Sequence, residues 1–170
     1  MKEWDISIDE KDYLPDTKDT GCEKQYKQVV KRAMNILQRQ DRTEKQLRDK
    51  LISDQRFSDE EIEYAIRYVT SYRYLDDLRF ACNYVRFRCN TKSKQQLLFG
   101  LLGKGISKEN INIALEEEYQ GEESLLIRNF LEKKGYYLDD SSPKVREKLI
   151  ASLMRKGFSF DEIIREMNRI

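Results

Sequence analysis

The sequence predicts an all-α fold of three tandem three-helix repeats forming an elongated, curved body. The main observation is a construction that occurs three times: a helix with an apolar i, i+4 pair, a tight turn, an apolar residue, a serine, and a second helix with another such pair. Leu47 and Leu51 are followed by Phe57, Ser58, Ile62 and Ile66; Leu97 and Leu101 by Ile106, Ser107, Ile111 and Leu115; Leu149 and Leu153 by Phe158, Ser159, Ile163 and Met167. The copies start 50 and then 52 residues apart. After residue 25 no alternating strand pattern with hairpin turns appears. The 170 residues are 39% hydrophobic and 37% charged, with a mean hydropathy of −0.81. That is a large polar surface for the apolar content, as small units sharing a continuous core would have.

Residues 1–25 carry eight acids against four lysines, a net of −4, and are expected to be a flexible acidic tail. The first repeat is placed at 26–77. It opens with the apolar stripe Val30, Ala33, Met34 and Leu37, continues with a helix started by the capping box Thr43-Glu44-Lys45-Gln46, and ends with one started by Ser58-Asp59-Glu60-Glu61. The second repeat, 78–121, opens with Phe80, Ala81, Tyr84, Val85 and Phe87, and Ser107 to Asn110 is a weaker copy of the box. The third, 122–170, has Leu126, Phe130 and Leu131, then Ser142-Pro143 as a cap with proline at the first helical position, then the box Ser159-Phe160-Asp161-Glu162. Phe57 and Phe158, each just before a capping serine, are placed to staple onto Ile62 and Ile163. Lys104-Gly105 and Lys156-Gly157 supply left-handed helix ends. Gln55-Arg56, with one extra residue, predicts a different turn in the first repeat.

Absent residues exclude much chemistry. Without histidine there is no imidazole triad, helical His-Glu zinc motif or facial triad. Gly103-Lys104-Gly105 has neither the spacing nor the Ser/Thr of a phosphate-binding loop. Cys22, Cys82 and Cys89 form no CxxC pair, and Cys82 and Cys89 on one helix would stand roughly 10 Å apart, beyond disulfide reach. They read as reduced packing thiols of a cytoplasmic protein, although Arg79 and Arg86 nearby hint at a lowered thiol pKa. The first residues lack a signal-peptide core and the longest apolar run, 97–102, is too short to span a membrane. Asp76-Asp77 and Asp139-Asp140 read as helix caps and dipole partners, not metal ligands. The tyrosines at the joints, Tyr72, Tyr74, Tyr136 and Tyr137, are expected to pack unit against unit with their hydroxyls at the rim. No catalytic constellation, cofactor site or metal site is expected.

Charge is unevenly placed. From Leu78 to Ser107 there is no acidic residue, although 31 acids in 170 positions would put about five there. The same window holds Arg79, Arg86, Arg88, Lys92, Lys94 and Lys104, the candidate surface for a polyanion or an acidic protein. If residues 78–89 form one helix, Phe80, Tyr84 and Phe87 lie on one face and Arg79, Cys82, Arg86 and Cys89 on another. Those aromatics could fill the core or stack on bases.

Four stretches, in order, resemble the RecX regulatory proteins of bacteria: Arg42-Thr43-Glu44-x-x-Leu47-Arg48-x-Lys50-Leu51, Tyr74-Leu75-Asp76-Asp77-x-Arg79-Phe80-Ala81, Leu97-x-x-x-Leu101-x-x-Lys104-Gly105-Ile106 and Leu149-x-x-x-Leu153-x-Arg155-Lys156-Gly157-Phe158. The resemblance runs from about residue 30 to the C-terminus. Where the family often has Lys-Gly-Pro before the second repeat's middle helix, this chain has Lys92-Ser93-Lys94, so that helix is expected to start differently. The resemblance implies a cytoplasmic regulator, not an enzyme, acting in DNA repair, recombination and the SOS response. Its implied partners are RecA protein and the RecA filament on DNA. It would lodge in the filament groove and restrain recombinase, ATPase and coprotease activities, with direct DNA contact left open. A monomer with no membrane attachment is expected. Two other classes compete: a general DNA- or RNA-binding helical protein, and a metal-dependent nuclease, which would need clustered carboxylates.

Overall fold

A computed structural model describes residues 20–137 and 142–170. Every element among them is helical: α1 (Thr20–Arg39), α2 (Glu44–Ser53), α3 (Asp59–Ser71), α4 (Asp77–Arg86), α5 (Lys94–Leu102), α6 (Lys108–Glu118), α7 (Glu123–Lys133), α8 (Pro143–Arg155) and α9 (Phe160–Met167). α1 begins inside the segment assigned to the acidic tail, and the rest of that segment, 1–19, lies outside the described residues. The chain divides into two compact units, Met1–Asp76 and Asp77–Ile170. The first holds one three-helix repeat and the second holds two.

The helix starts follow from the capping residues. Thr43, Ser58 and Ser159 each accept the backbone N–H three residues on, and the side chain of that third residue reaches back to the cap, closing three boxes. Ser107 caps Asn110 without the reciprocal bond. Ser93 closes a fourth box with Gln96, so α5 starts from a capping serine where the resemblance had suggested Lys-Gly-Pro. Ser142 differs from expectation: Pro143 stands at the first helical position, but the serine side chain makes no capping bond, and its carbonyl accepts from Val145 and Arg146.

Helix ends follow from chirality. Gly105 (φ 85°), Gly135 (φ 64°) and Gly157 (φ 89°) occupy left-handed positions. The next residues, Ile106, Tyr136 and Phe158, donate back to the carbonyls of Leu101, Leu131 and Leu153, the six-to-one bond of a Schellman turn. In the first repeat Gln55 takes that conformation (φ 54°) and donates to Ile52, and Arg56 is the extra residue before Phe57. Arg73 (φ 55°) ends α3 in the same way, with Tyr74 donating to Val69.

Each repeat closes over its own core. Leu47, Leu51, Ile62 and Ile66 pack with Val29, Val30, Ala33, Met34, Ile36 and Val69 in the first. Leu97, Leu101, Ile106 and Ile111 pack with Ala81, Tyr84, Val85 and Ala114 in the second. Leu149, Leu153, Phe158, Ile163 and Met167 pack with Ile127, Leu131 and Tyr136 in the third. Burial of each such leucine or isoleucine contributes about 1.5–3 kcal/mol. Phe87 departs from expectation. α4 ends at Arg86, so Phe87 leaves the core face and is 77% exposed, while Cys89 turns inward and is buried. Tyr136 is likewise a core residue and not a rim residue, whereas Tyr72, Tyr74 and Tyr137 are exposed. Tyr26, Tyr64, Tyr68, Tyr72 and Tyr74 form a file of rings in the first repeat, with successive centroids 4.7, 6.4, 4.8 and 6.3 Å apart. Burial within that file pushes the Tyr68 hydroxyl up to about 12.

The two repeats of the second unit are tied by backbone-level contacts. The Ser93 hydroxyl donates to the Lys156 carbonyl, and the Lys94 N–H donates to Glu123 Oε1 at 3.0 Å. Gly121 lies where a Cβ would overlap the Cys89 carbonyl, and Gly157 where a Cβ would overlap the Gln95 side chain. Glu166, 1% exposed, is held by Arg128 at 2.9 Å and Arg169 at 2.8 Å, so its buried charge is paired twice.

Candidate functional site

The acid-free window folds into α4, the turn after it, α5 and the following Lys-Gly turn. α4 presents Phe80 and Tyr84 one turn apart, their rings stacked at 6.4 Å. Tyr84 is 7% exposed. α5 can approach the Tyr84 hydroxyl because residue 100 is glycine; a Cβ there would stand 2.5 Å from that oxygen. Around this ring three of the predicted cations converge. The Arg88 guanidinium carbon lies 4.3 Å from the Tyr84 centroid, Lys104 Nζ 5.8 Å and Lys92 Nζ 5.9 Å. Lys104 also lies 6.0 Å from the Phe80 centroid. The negative face of the ring holds the charges in place while their heads reach solvent.

The other predicted cations lie elsewhere. Arg86 forms a two-pronged ion pair with Glu118, with Nε 2.7 Å from Oε2. This pairing raises the Arg86 pKa and lowers that of Glu118. Lys94 Nζ sits 5.0 Å from the Tyr119 centroid, beside a cleft of about 500 Å³ lined by Glu122, Glu123, Glu162 and Arg165. Arg79 is exposed on α4. The window is therefore acid-free along the chain but not in space. Glu117 and Glu118 at the end of α6 reach Cys82 and Arg86 on α4, which packs against α6.

Cys82 shows the same effect. Burial, then Glu117 and Glu118, push its thiol pKa up, so the hint from the neighbouring arginines is reversed. Base stacking by Tyr84 is ruled out by its burial, and only Phe87 of the three aromatics offers an open face. Asp77 lies in the first turn of α4, as a dipole partner should, while Asp139 and Asp140 lie outside the described residues. Among the described residues no group of three or more Cys, Asp or Glu is placed to hold a metal ion, and no helix is long and apolar enough to cross a membrane.

Three family profiles match in succession: the first three-helix domain of RecX over residues 31–68, the second over 76–115 and the third over 122–166. The chain belongs to the RecX family. It is 29% identical over 157 residues to the regulatory protein RecX of Clostridium acetobutylicum, covering 89% of this chain and 72% of that one. To the regulatory protein RecX of Caldanaerobacter subterraneus it is 32% identical over 144 residues, covering 84% and 70%. Against other clostridial RecX proteins it spans a little under two thirds of their length, 65% for that of Clostridium tetani. The crystal structure of RecX from Lactobacillus salivarius superposes with a TM-score of 0.70 at 27% identity, covering 87% of this chain and 99% of that one. The three matches fall in turn on the helix triplets α1–α3, α4–α6 and α7–α9, and the Tyr84 cluster lies in the second.

Proposed function

We propose that this chain is a cytoplasmic regulator of RecA, binding RecA protein and its filament on DNA and lowering the filament's recombinase, ATPase and coprotease activities without chemistry of its own. Its setting is DNA repair, recombination and the SOS response. The carrying observation is the convergence of Arg88, Lys92 and Lys104 on one tyrosine ring in the second domain of a RecX-family chain. Among the described residues neither Arg88 nor Lys92 has a carboxylate partner. Cations held together repel, and a polyanionic partner relieves the repulsion. The exposed Phe87 beside them supplies an apolar contact on the same segment.

The test is the single-stranded-DNA-dependent ATPase of RecA from the same organism, titrated with this protein. Inhibition well below one chain per RecA monomer, abolished in Arg88→Glu/Lys92→Glu with unchanged helical CD, is the expected result. No inhibition, together with salt-dependent binding to naked DNA, overturns the RecA reading in favour of a general nucleic-acid-binding helical protein.

A further inference from the structure

The arrangement around Tyr84 has a counterpart in the third repeat. Tyr84 and Phe130 each immediately precede the core residue of their repeat's first helix, Val85 and Leu131. Four residues after each ring stands a cation, Arg88 or Lys134. Three residues after the second core leucine, and directly before the left-handed glycine, stands a lysine, Lys104 or Lys156. Lys156 Nζ lies 4.0 Å from the Phe130 centroid, closer than any cation to Tyr84.

The first repeat treats the same position in the opposite way. Three residues after Leu51 stands Asp54, held by Arg32 at 2.6 Å and by Arg56 at 3.3 Å. That junction is neutralised from within. In the third repeat no such partner is present among the described residues: Lys133, Lys134 and Lys156 make no ion pair. Burial, then the charges of Lys134 and Lys133, lower the Lys156 pKa. The carbonyl ends of α7 and α8 offset part of this repulsion, since all three lysines lie at a helix C-terminus.

We propose that Lys156, packed on the Phe130 ring, together with Lys133 and Lys134 at the C-terminal end of the same helix that carries Phe130, forms a second seat for the phosphates of a single nucleic-acid strand, the counterpart of the Arg88, Lys92 and Lys104 seat around Tyr84. Phosphate fits better than a protein carboxylate. Compact ammonium heads suit an anion with several equivalent oxygens. Two seats repeated within one compact unit suit a polymer that carries one charge per link. The backbone that carries Lys156 is fixed by its carbonyl's bond to Ser93, so the second seat is anchored to the repeat that carries the first.

The inference rests on the nucleic-acid side of the function proposed above, and its main readout, oligonucleotide binding, needs no RecA. Anisotropy of a labelled oligo-dT is measured against salt for the wild-type chain, for Lys134→Ala/Lys156→Met, and for Lys133→Gln/Lys134→Gln, which leaves the Lys156 packing intact. The expected result is a slope of log affinity against log salt that shallows by about 0.7 for each phosphate that a variant no longer neutralises, with helical CD unchanged. An unchanged slope in both variants overturns the second seat, as does a wild-type chain that binds no oligonucleotide. Variants that keep the slope but lose retention on DNA-free RecA assign the lysines to an acidic protein surface and also overturn it. A slope that shallows as expected while RecA ATPase is unaffected supports the seat and removes only the RecA reading.

Discussion

Ser93 accepts the Gln96 N–H to start α5 and donates to a carbonyl of the next repeat. Its replacement by alanine removes a cap, worth about 1 kcal/mol, and a buried inter-repeat bond, worth about 1 kcal/mol more. Ser93→Ala should therefore cost about twice as much as Ser107→Ala, which removes a cap alone, in parallel urea titrations. Chirality gives a second pair. Gly157→Ala forces a Cβ into the left-handed region and against Gln95, and should destabilise by at least about 1–2 kcal/mol. Gln55→Gly relieves the same strain in the first repeat and should stabilise by on the order of 0.5 kcal/mol once the entropy of glycine is counted. Cys82 should alkylate with iodoacetamide at mildly alkaline pH more slowly than glutathione does, because its raised pKa leaves little thiolate. The caps at Thr43, Ser58, Ser107 and Ser159 were legible in the sequence because each bonds within three residues, whereas the Ser93 box was not read there and Ser142 makes no side-chain cap. The second bond of Ser93 was not legible, because its acceptor lies 63 residues away.

At the scale of the helix and its turn, one position per repeat sets the local charge: Asp54, Lys104 and Lys156. The Arg32 guanidinium holds the Asp54 carboxyl below its ordinary range, so its contribution to the first repeat is complete above the usual carboxylate pKa. It is lost as pH falls through the depressed value, and Asp54→Asn should flatten that acid limb of the melting curve. Lys156 changes stability with the same sign but in the alkaline range, and because its charge is penalised in the fold, not supported. Its folded pKa is depressed, so the unfolded chain binds more protons in the alkaline range, and stability rises as pH climbs through the depressed value toward the ordinary lysine value. Lys156→Met should remove that rise. The repeat itself was legible because leucines spaced i, i+4 before a capped serine recur with little variation. Scanning charge along the chain found the basic segment but not its division. Arg86 is taken by Glu118 across a helix pair, and Lys156 reaches Phe130 from another helix, with acids between them in the sequence.

At the scale of the molecule, the two repeats of the second unit share the Ser93–Lys156 and Lys94–Glu123 bonds and the close approaches at Gly121 and Gly157. A fragment of residues 77–170 should melt in one cooperative transition. A fragment of residues 122–170 keeps its core but lacks those inter-repeat bonds, and should be far less helical by CD at the same temperature. Two separate transitions in the longer fragment would show that the repeats fold independently.

If the proposed phosphate seats hold a strand, the charge at positions 54, 104 and 156 makes the footprint countable. Each repeat with a lysine there would occlude its own stretch of nucleotides, and a repeat with an aspartate would occlude none. Site size should then change in steps, by one repeat's worth for each such side chain, with no change in helix number or chain length. Stoichiometric titration of oligonucleotides of graded length would read those steps directly, and Lys156→Met should shorten the occluded length by one of them.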